Sequence, residues 1–209
     1  MNTIDYLKEL YGYGVPIFLN KIRIGGKSKT SIRKELSRAV KGGKINRKEN
    51  GVYSFENYED LNTPILSIEK VIEQKYVKND HGLPGLDIDI YGYYSGQTFL
   101  HYIGLSQQVP ATLEITTNNT SCKRSVTIGH VKIILRKGKT TIDRLNHKAL
   151  QFFDMFTFLN DEEIEENKEL IQKYISENLT KKQYIDNIKY YPIRVNKIIV
   201  EKGFIYAFK

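Results

Sequence analysis

Between positions 21 and 48 the chain carries eleven cationic side chains: Lys21, Arg23, Lys27, Lys29, Arg33, Lys34, Arg38, Lys41, Lys44, Arg47 and Lys48. Only Glu35 opposes them in that interval. A solvated helix gains from mixed signs at (i, i+4), whereas crowded charges of one sign repel unless a polyanion neutralises them. The chemistry such a cluster supports is the binding of nucleic-acid phosphate. Arginine adds base readout, because its fork matches the O6/N7 edge of guanine. The competing reading of the same charges is a basic face that is merely solvated. The bias is local: residues 1–60 hold 12 Lys/Arg against 7 Asp/Glu, and residues 61–209 hold 20 against 17.

The elements that must present these cations follow from spacing. Thr3 is a candidate N-cap, and Ile4, Leu7 and Leu10 predict a helix to about Tyr11, ended by Gly12 and Gly14. Val15-Pro-Ile-Phe-Leu19 reads as extended. A brief second helix is expected from Asn20, with Ile22 and Ile24 inward, before the turn at Gly25-Gly26. A third helix follows, capped by Thr30 or Ser28, with Ile32, Leu36, Ala39 and Val40 on its buried side and Gly42-Gly43 at its end. Strand-like runs at residues 44–47 and 52–55 flank Asn50-Gly51, a strong hairpin signal.

Helix, short helix, glycine turn, helix and hairpin is the order of a winged helix-turn-helix, placed at residues 1–61. In that fold the third helix enters the major groove with its N-terminal residues nearest the base edges. The DNA-binding residues expected are therefore Lys27, Ser28, Lys29, Thr30, Ser31, Arg33, Lys34, Arg38, Lys44, Arg47 and Lys48, with Lys48 at the hairpin tip reaching backbone or minor groove. Winged helices also serve as protein-interaction modules, which is the alternative here.

Polar residues and a proline at residues 57–64 mark a boundary. Residues 62–209 read as a larger α+β domain. An amphipathic helix from Ile65 to Tyr76 comes first, then a loop at residues 78–85, a strand at residues 87–91 and a short helix capped by Ser95. Strands at residues 111–117, 125–128 and 131–136 follow. Helices are expected from Asp143 through Phe156, over residues 161–178, over residues 181–190 and over residues 193–202.

Catalytic chemistry is weakly represented. His81, His101, His130 and His147 are scattered without metal spacing, and Gly82, Gly85 and Gly92 do not form a phosphate loop between strand and helix. Asp87 or Asp89 with Glu114 and Lys132 would imitate a magnesium nuclease, but the position two after Glu114 is Thr116 rather than lysine. Cys122 lies beside Lys123 and Arg124, which favour its thiolate, and as the only cysteine it excludes an internal disulfide. No metal and no cofactor are expected, and the chain is read as non-enzymatic. No apolar run approaches the roughly 18 residues of a membrane span, and the opening residues do not read as a signal peptide. A cytoplasmic protein is expected.

In the motifs Thr30-Ser-Ile-Arg-Lys-Glu-Leu-Ser-Arg-Ala-Val40, Gly42-Gly-Lys-Ile-Asn-Arg47 and Gly51-Val-Tyr53, followed by Gly96-Gln-Thr-Phe-Leu-His-Tyr-Ile-Gly-Leu-Ser-Gln-Gln-Val-Pro110, the chain resembles the AbiEi family of bacterial antitoxins and repressors over nearly its whole length. The resemblance implies an N-terminal domain that binds inverted repeats in its own operon promoter. It also implies a C-terminal domain that counteracts a nucleotidyltransferase-like toxin in abortive-infection defence against phage, without a stable complex being required. A candidate antitoxin surface is the basic group Lys123, Arg124, Lys132, Arg136, Lys137 and Lys139. Alternation would place Lys132, Ile134 and Arg136 on one strand face. A charged face that keeps the strand soluble, or protects a sheet edge, accounts for the same residues. The alternative function is a transcription factor with a ligand-sensing or assembly domain and no toxin.

Overall fold

A computed structural model describes residues 2–79 and 88–209. The readings that fall on His81, Gly82, Gly85 and Asp87 lie outside the described residues. The fold is α+β and the chain divides into two compact units. One comprises residues 2–74, Asn79 and Ile128–His130; the other comprises Lys75–Lys78, Ile88–Thr127 and Val131–Lys209. Residues 62–74, which the sequence break assigns to the second domain, thus cluster with the first unit.

The first unit opens with α1 (Thr3–Tyr11). Its cap is Asn2 rather than Thr3: the Asn2 carboxamide oxygen accepts from the Ile4 N–H at 3.1 Å, and Thr3 is buried as the first helical residue. The chain turns out at Gly12, whose φ of +67° is open to glycine without strain. It then runs through β1 (Ile17–Phe18). The expected helix from Asn20 does not form. Six residues separate β1 from Gly25-Gly26, a length at which a helix is marginal without support. Arg23 instead donates from Nη1 to the carbonyls of Asn20 (2.7 Å) and Ile22 (2.9 Å). Ile22 is buried all the same.

Ser28, not Thr30, caps α2 (Lys29–Lys41): its Oγ accepts from the Ser31 N–H at 3.1 Å. The hairpin of β2 (Asn46–Glu49) and β3 (Val52–Ser54) follows. The three strands pair antiparallel in the order β1-β3-β2, with Ile17 opposite Tyr53 and Arg47 opposite the same residue on the other side. An irregularity in the β2–β3 register falls at Lys48. Helices and sheet share a core that includes Ile4, Leu7, Ile17, Ile32, Leu36, Ile45 and Phe55. The helix α3 (Ile68–Tyr76) is followed by the two-residue strands β4 (Lys78–Asn79) and β5 (Asp89–Ile90).

In the second unit β6 (Gly92–Tyr94), β7 (Leu113–Thr117), β9 (Val131–Lys137) and β8 (Arg124–Ile128) lie side by side in that order. β6 and β7 are antiparallel, whereas β7 and β9 are parallel, with Glu114 opposite Ile134 and Thr116 opposite Arg136. A Cβ at Gly92 would stand 2.0 Å from the Tyr76 carbonyl, so only glycine lets the backbones approach there. The short helix α4 (Gly96–Tyr102) is fastened to β7 from both ends of its first turn. The Ser95 N–H donates to the Glu114 carbonyl (2.9 Å), and the Glu114 N–H donates to Thr98 Oγ1 (2.8 Å).

The remaining helices are α5 (His147–Met155), α6 (Asp161–Glu166), α7 (Lys168–Asn178), α8 (Lys181–Asn187) and α9 (Ile193–Glu201). Their aromatic core is centred on Phe152, Phe153, Phe156 and Phe204, all fully buried. The single helix expected over residues 161–178 is broken at Asn167, the C-cap of α6, whose backbone N–H and side chain both donate to the Glu163 carbonyl, at 3.2 and 2.8 Å.

Packing beneath α2 is the structural prerequisite for everything on its outer face. Leu36 is fully buried there. Leu36→Ala is expected to cost about 2–5 kcal/mol, read as a lowered midpoint in denaturant unfolding.

Candidate nucleic-acid interface

The two sides of α2 differ sharply. Ile32, Leu36 and Ala39 are buried at 2, 0 and 6% exposure, while Lys34, Arg38 and Lys41 are exposed on the far side and Lys29 and Arg33 on the flank. The helical repeat alone produces this division, since residues three and four apart share a face. Lys44 is exposed just past the glycine turn. Among the described residues these six cations have no carboxylate partner and no other polar or ring contact. Arg38 and Lys41 sit in the last turn, where a helix end favours positive charge, but no acid offsets Lys29 in the first. A stripe of uncompensated cations on a rigid helix attracts a polyanion and pays a repulsive cost without one.

The other predicted cations are held. Lys27 Nζ lies 2.8 and 2.9 Å from the two Glu35 carboxylate oxygens and also donates to Thr3 Oγ1 at 2.6 Å. The Lys27 hydrogen bond, then that of Thr3, keeps the Glu35 carboxyl below its ordinary range. Arg47 closes its own turn, donating to Asn50 Oδ1 at 2.8 Å. Lys48 does not project from the hairpin tip: the register irregularity re-aims it, and it is paired with the Glu56 carboxylate, whose side chain is fully buried.

Burial would raise the Glu56 pKa, yet hydrogen bonds from Lys48 and Tyr58 outweigh it and the carboxyl stays below its usual range. Asn46 adds a third donor at 3.2 Å. Of the hydroxyls at the α2 N-terminus, Ser28 is spent on the cap and Ser31 donates to Glu35 at 3.3 Å. Thr30 is exposed, and among the described residues its hydroxyl has no partner.

In the second unit the basic group predicted around β8 and β9 does not form one surface. Lys123, Arg124, Lys132, Lys137 and Lys139 are exposed. Arg136 is half-buried, bonded to Glu114 Oε2 through Nη2 (2.6 Å) and Nε (3.1 Å), and stacked over the Phe158 ring. Burial along β9 follows the expected alternation, with Ile133 and Leu135 fully buried between Lys132, Ile134 and Arg136. β9 is an inner strand, so edge protection does not explain Lys132. Lys137 alternates to the face opposite Arg136.

Of the nuclease-like set, Asp87 lies outside the described residues and Glu114 is taken by Arg136; among the described residues no three His, Cys, Asp or Glu side chains gather where they could hold a metal ion. Gly96 is explained by the same pair, because a Cβ there would stand 2.6 Å from the Glu114 carboxylate.

Three residues of consequence escaped the sequence reading. Glu35 registered only as a lone opposing charge, since its partners Lys27 and Thr3 lie across a turn and on another helix. Glu56 had a faint signal, a carboxylate directly after the buried run Val52–Phe55. Asp154 had a clearer one, an acid embedded in Phe152-Phe153-Asp154-Met155-Phe156. Asp154 is buried and accepts from the Tyr93 hydroxyl at 2.7 Å. Burial raises its pKa, against hydrogen bonds from Tyr93 and Tyr191 and the charges of Lys139 and Arg136.

Compared with known proteins, the chain matches no family model, no curated protein and no solved structure. Among the described residues no helix is long and apolar enough to cross a membrane.

Two outcomes are expected. Glu56→Ala leaves Lys48, Asn46 and Tyr58 without their acceptor and should cost about 1.5–3 kcal/mol, measured by denaturant unfolding. A raised carboxyl pKa favours the folded state most below the ordinary aspartate range, about 3.9, and that advantage disappears as pH climbs through the folded value. The melting temperature of the wild type relative to Asp154→Asn should therefore fall with rising pH. A difference that is flat or rises with pH contradicts the assignment.

Proposed function

We propose that this chain is a DNA-binding autorepressor and antitoxin without enzymatic activity, acting in the cytoplasm. The N-terminal unit works as a winged helix-turn-helix, with a turn at residues 20–27 standing where a second helix was expected. The observation that carries the reading is the outer face of α2, where Lys29, Arg33, Lys34, Arg38 and Lys41 stand unpaired above a seam of Ile32, Leu36 and Ala39. The order helix, strand, helix, hairpin and the β1-β3-β2 sheet support the same fold.

Docking α2 in the major groove sets Lys29, Thr30, Arg33 and Lys34 toward base edges. Arg38, Lys41 and Lys44 then reach phosphates. Lys27, Arg47 and Lys48 are support rather than contact, which revises the expectation for those three.

The antitoxin half rests on the resemblance to the AbiEi family in residues 30–53 and 96–110. On this reading the operator carries inverted repeats, and the C-terminal unit counteracts a nucleotidyltransferase-like toxin encoded beside it in phage defence. The exposed cations Lys123, Arg124 and Lys132 are the surface offered for that role, with Arg136 confined to holding Glu114.

The test is a mobility shift of the full chain on its own upstream DNA and on a scrambled duplex across a salt series. Arg33→Ala should cost about 1–3 kcal/mol and relax specificity, as loss of a base contact does. Lys44→Ala should weaken both duplexes alike and flatten the salt dependence by about 0.9 in log–log slope. Lys48→Ala should leave DNA affinity unchanged. Equal binding of both duplexes at every salt concentration would refute the repressor reading. Failure to rescue growth against the neighbouring nucleotidyltransferase-like gene would refute the antitoxin one.

A further inference from the structure

Glu35 stands in the wrong place for a surface that only attracts phosphate. It is the one carboxylate between residues 21 and 48, and on charge alone it weakens the attraction to any polyanion. Its contacts point to another task. Both of its oxygens receive Lys27 Nζ, one receives the Ser31 hydroxyl, and the same Lys27 ammonium reaches Thr3 Oγ1 at the start of α1.

Three pieces of chain meet at this carboxylate: the first turn of α1, the turn that follows Gly25-Gly26, and the first two turns of α2. The remaining grip on α2 is the apolar seam of Ile32, Leu36 and Ala39, and apolar burial is non-directional. Besides the Ser28 cap, the directional side-chain contacts on the N-terminal half of α2 among the described residues are the ones converging on Glu35.

We propose that Glu35 is a positioning residue for sequence readout: through Lys27, Ser31 and Thr3 it sets the angle at which Lys29, Thr30, Arg33 and Lys34 meet the bases. The proposal rests on the DNA-binding reading above. Base recognition by a forked guanidinium tolerates little misplacement, whereas phosphate contacts carry no sequence information and need only charge nearby. Loss of Glu35 therefore acts on discrimination, not on attraction.

The experiment uses the full chain and two probes: duplexes enriched by the wild type from a random 25-base-pair library, and scrambled duplexes of the same composition. Among the described residues Glu9 is exposed on α1 without a polar partner, so Glu9→Gln supplies the same gain of one positive charge without touching the cluster. Glu35→Gln is expected to bind scrambled duplex at least as tightly as Glu9→Gln does, while its preference for the enriched duplex falls about tenfold or more. Lys27→Gln changes net charge in the opposite direction and should lower the same preference.

If Glu35→Gln instead tightens both duplexes in parallel, as Glu9→Gln does, Glu35 is only a charge and the proposal is overturned. If Glu35→Gln or Lys27→Gln loses both duplexes together with its melting transition, the role is structural alone and the proposal again fails. Should the wild type enrich no sequence at all, the DNA-binding reading itself falls, which is a different result from either.

Discussion

The burial of Ile32, Leu36 and Ala39 beneath α2 is what permits the rest of the first unit to exist in this form. Like charges at (i, i+4) on a helix each cost about 0.2–0.5 kcal/mol, and α2 carries two such pairs, Lys29 with Arg33 and Lys34 with Arg38. Full burial of an Ile or Leu side chain returns about 1.5–3 kcal/mol. Two such residues outweigh the repulsion with a margin. The same calculation explains why the cations are confined to one side: a charge at any of the three seam positions would remove the term that tolerates the others.

Around that helix the positive charge is sorted into two populations. Arg23, Lys27, Arg47 and Lys48 are engaged with carbonyls, carboxylates or turn amides and stiffen the loops on either side of α2. Their neighbours on the helix itself remain unmatched. Glu35 and Glu56, which look in sequence like stray acids in a basic segment, are the groups that hold Lys27 and Lys48. A tally of charge would treat all eleven cations as equal, and only their partners distinguish a strut from a contact.

The parts of this architecture that were legible in the sequence are the local ones. The period of Ile32, Leu36 and Ala39 predicted α2, Asn50-Gly51 predicted the hairpin, and Ser95 marked the start of α4. Alternation along Val131–Arg136 predicted which side of β9 is buried. What could not be read are the interactions that join distant segments. Nothing near Glu35 announces Thr3, and nothing near Lys48 announces Glu56. The parallel pairing of β7 with β9 around β8 is likewise a tertiary fact. At Asn20 and at Asn167 the apolar spacing suited a helix, but side chains bond to nearby carbonyls there, Arg23 to those of Asn20 and Ile22 and Asn167 to that of Glu163, local contacts that spacing does not reveal.

Unmatched charge on α2 also sets how the molecule responds to its ionic surroundings. Salt screens the repulsion along the helix and so stabilises the free folded chain, while it weakens any attachment to nucleic acid through counterion return. The two effects have opposite sign. A polyanion that binds the folded state and not the unfolded one adds stability in proportion to the logarithm of its occupancy. If that polyanion is promoter DNA, copies in excess of the available promoters are the ones that open most often and fall first to proteolysis, so the stock of folded protein becomes matched to the DNA that can hold it.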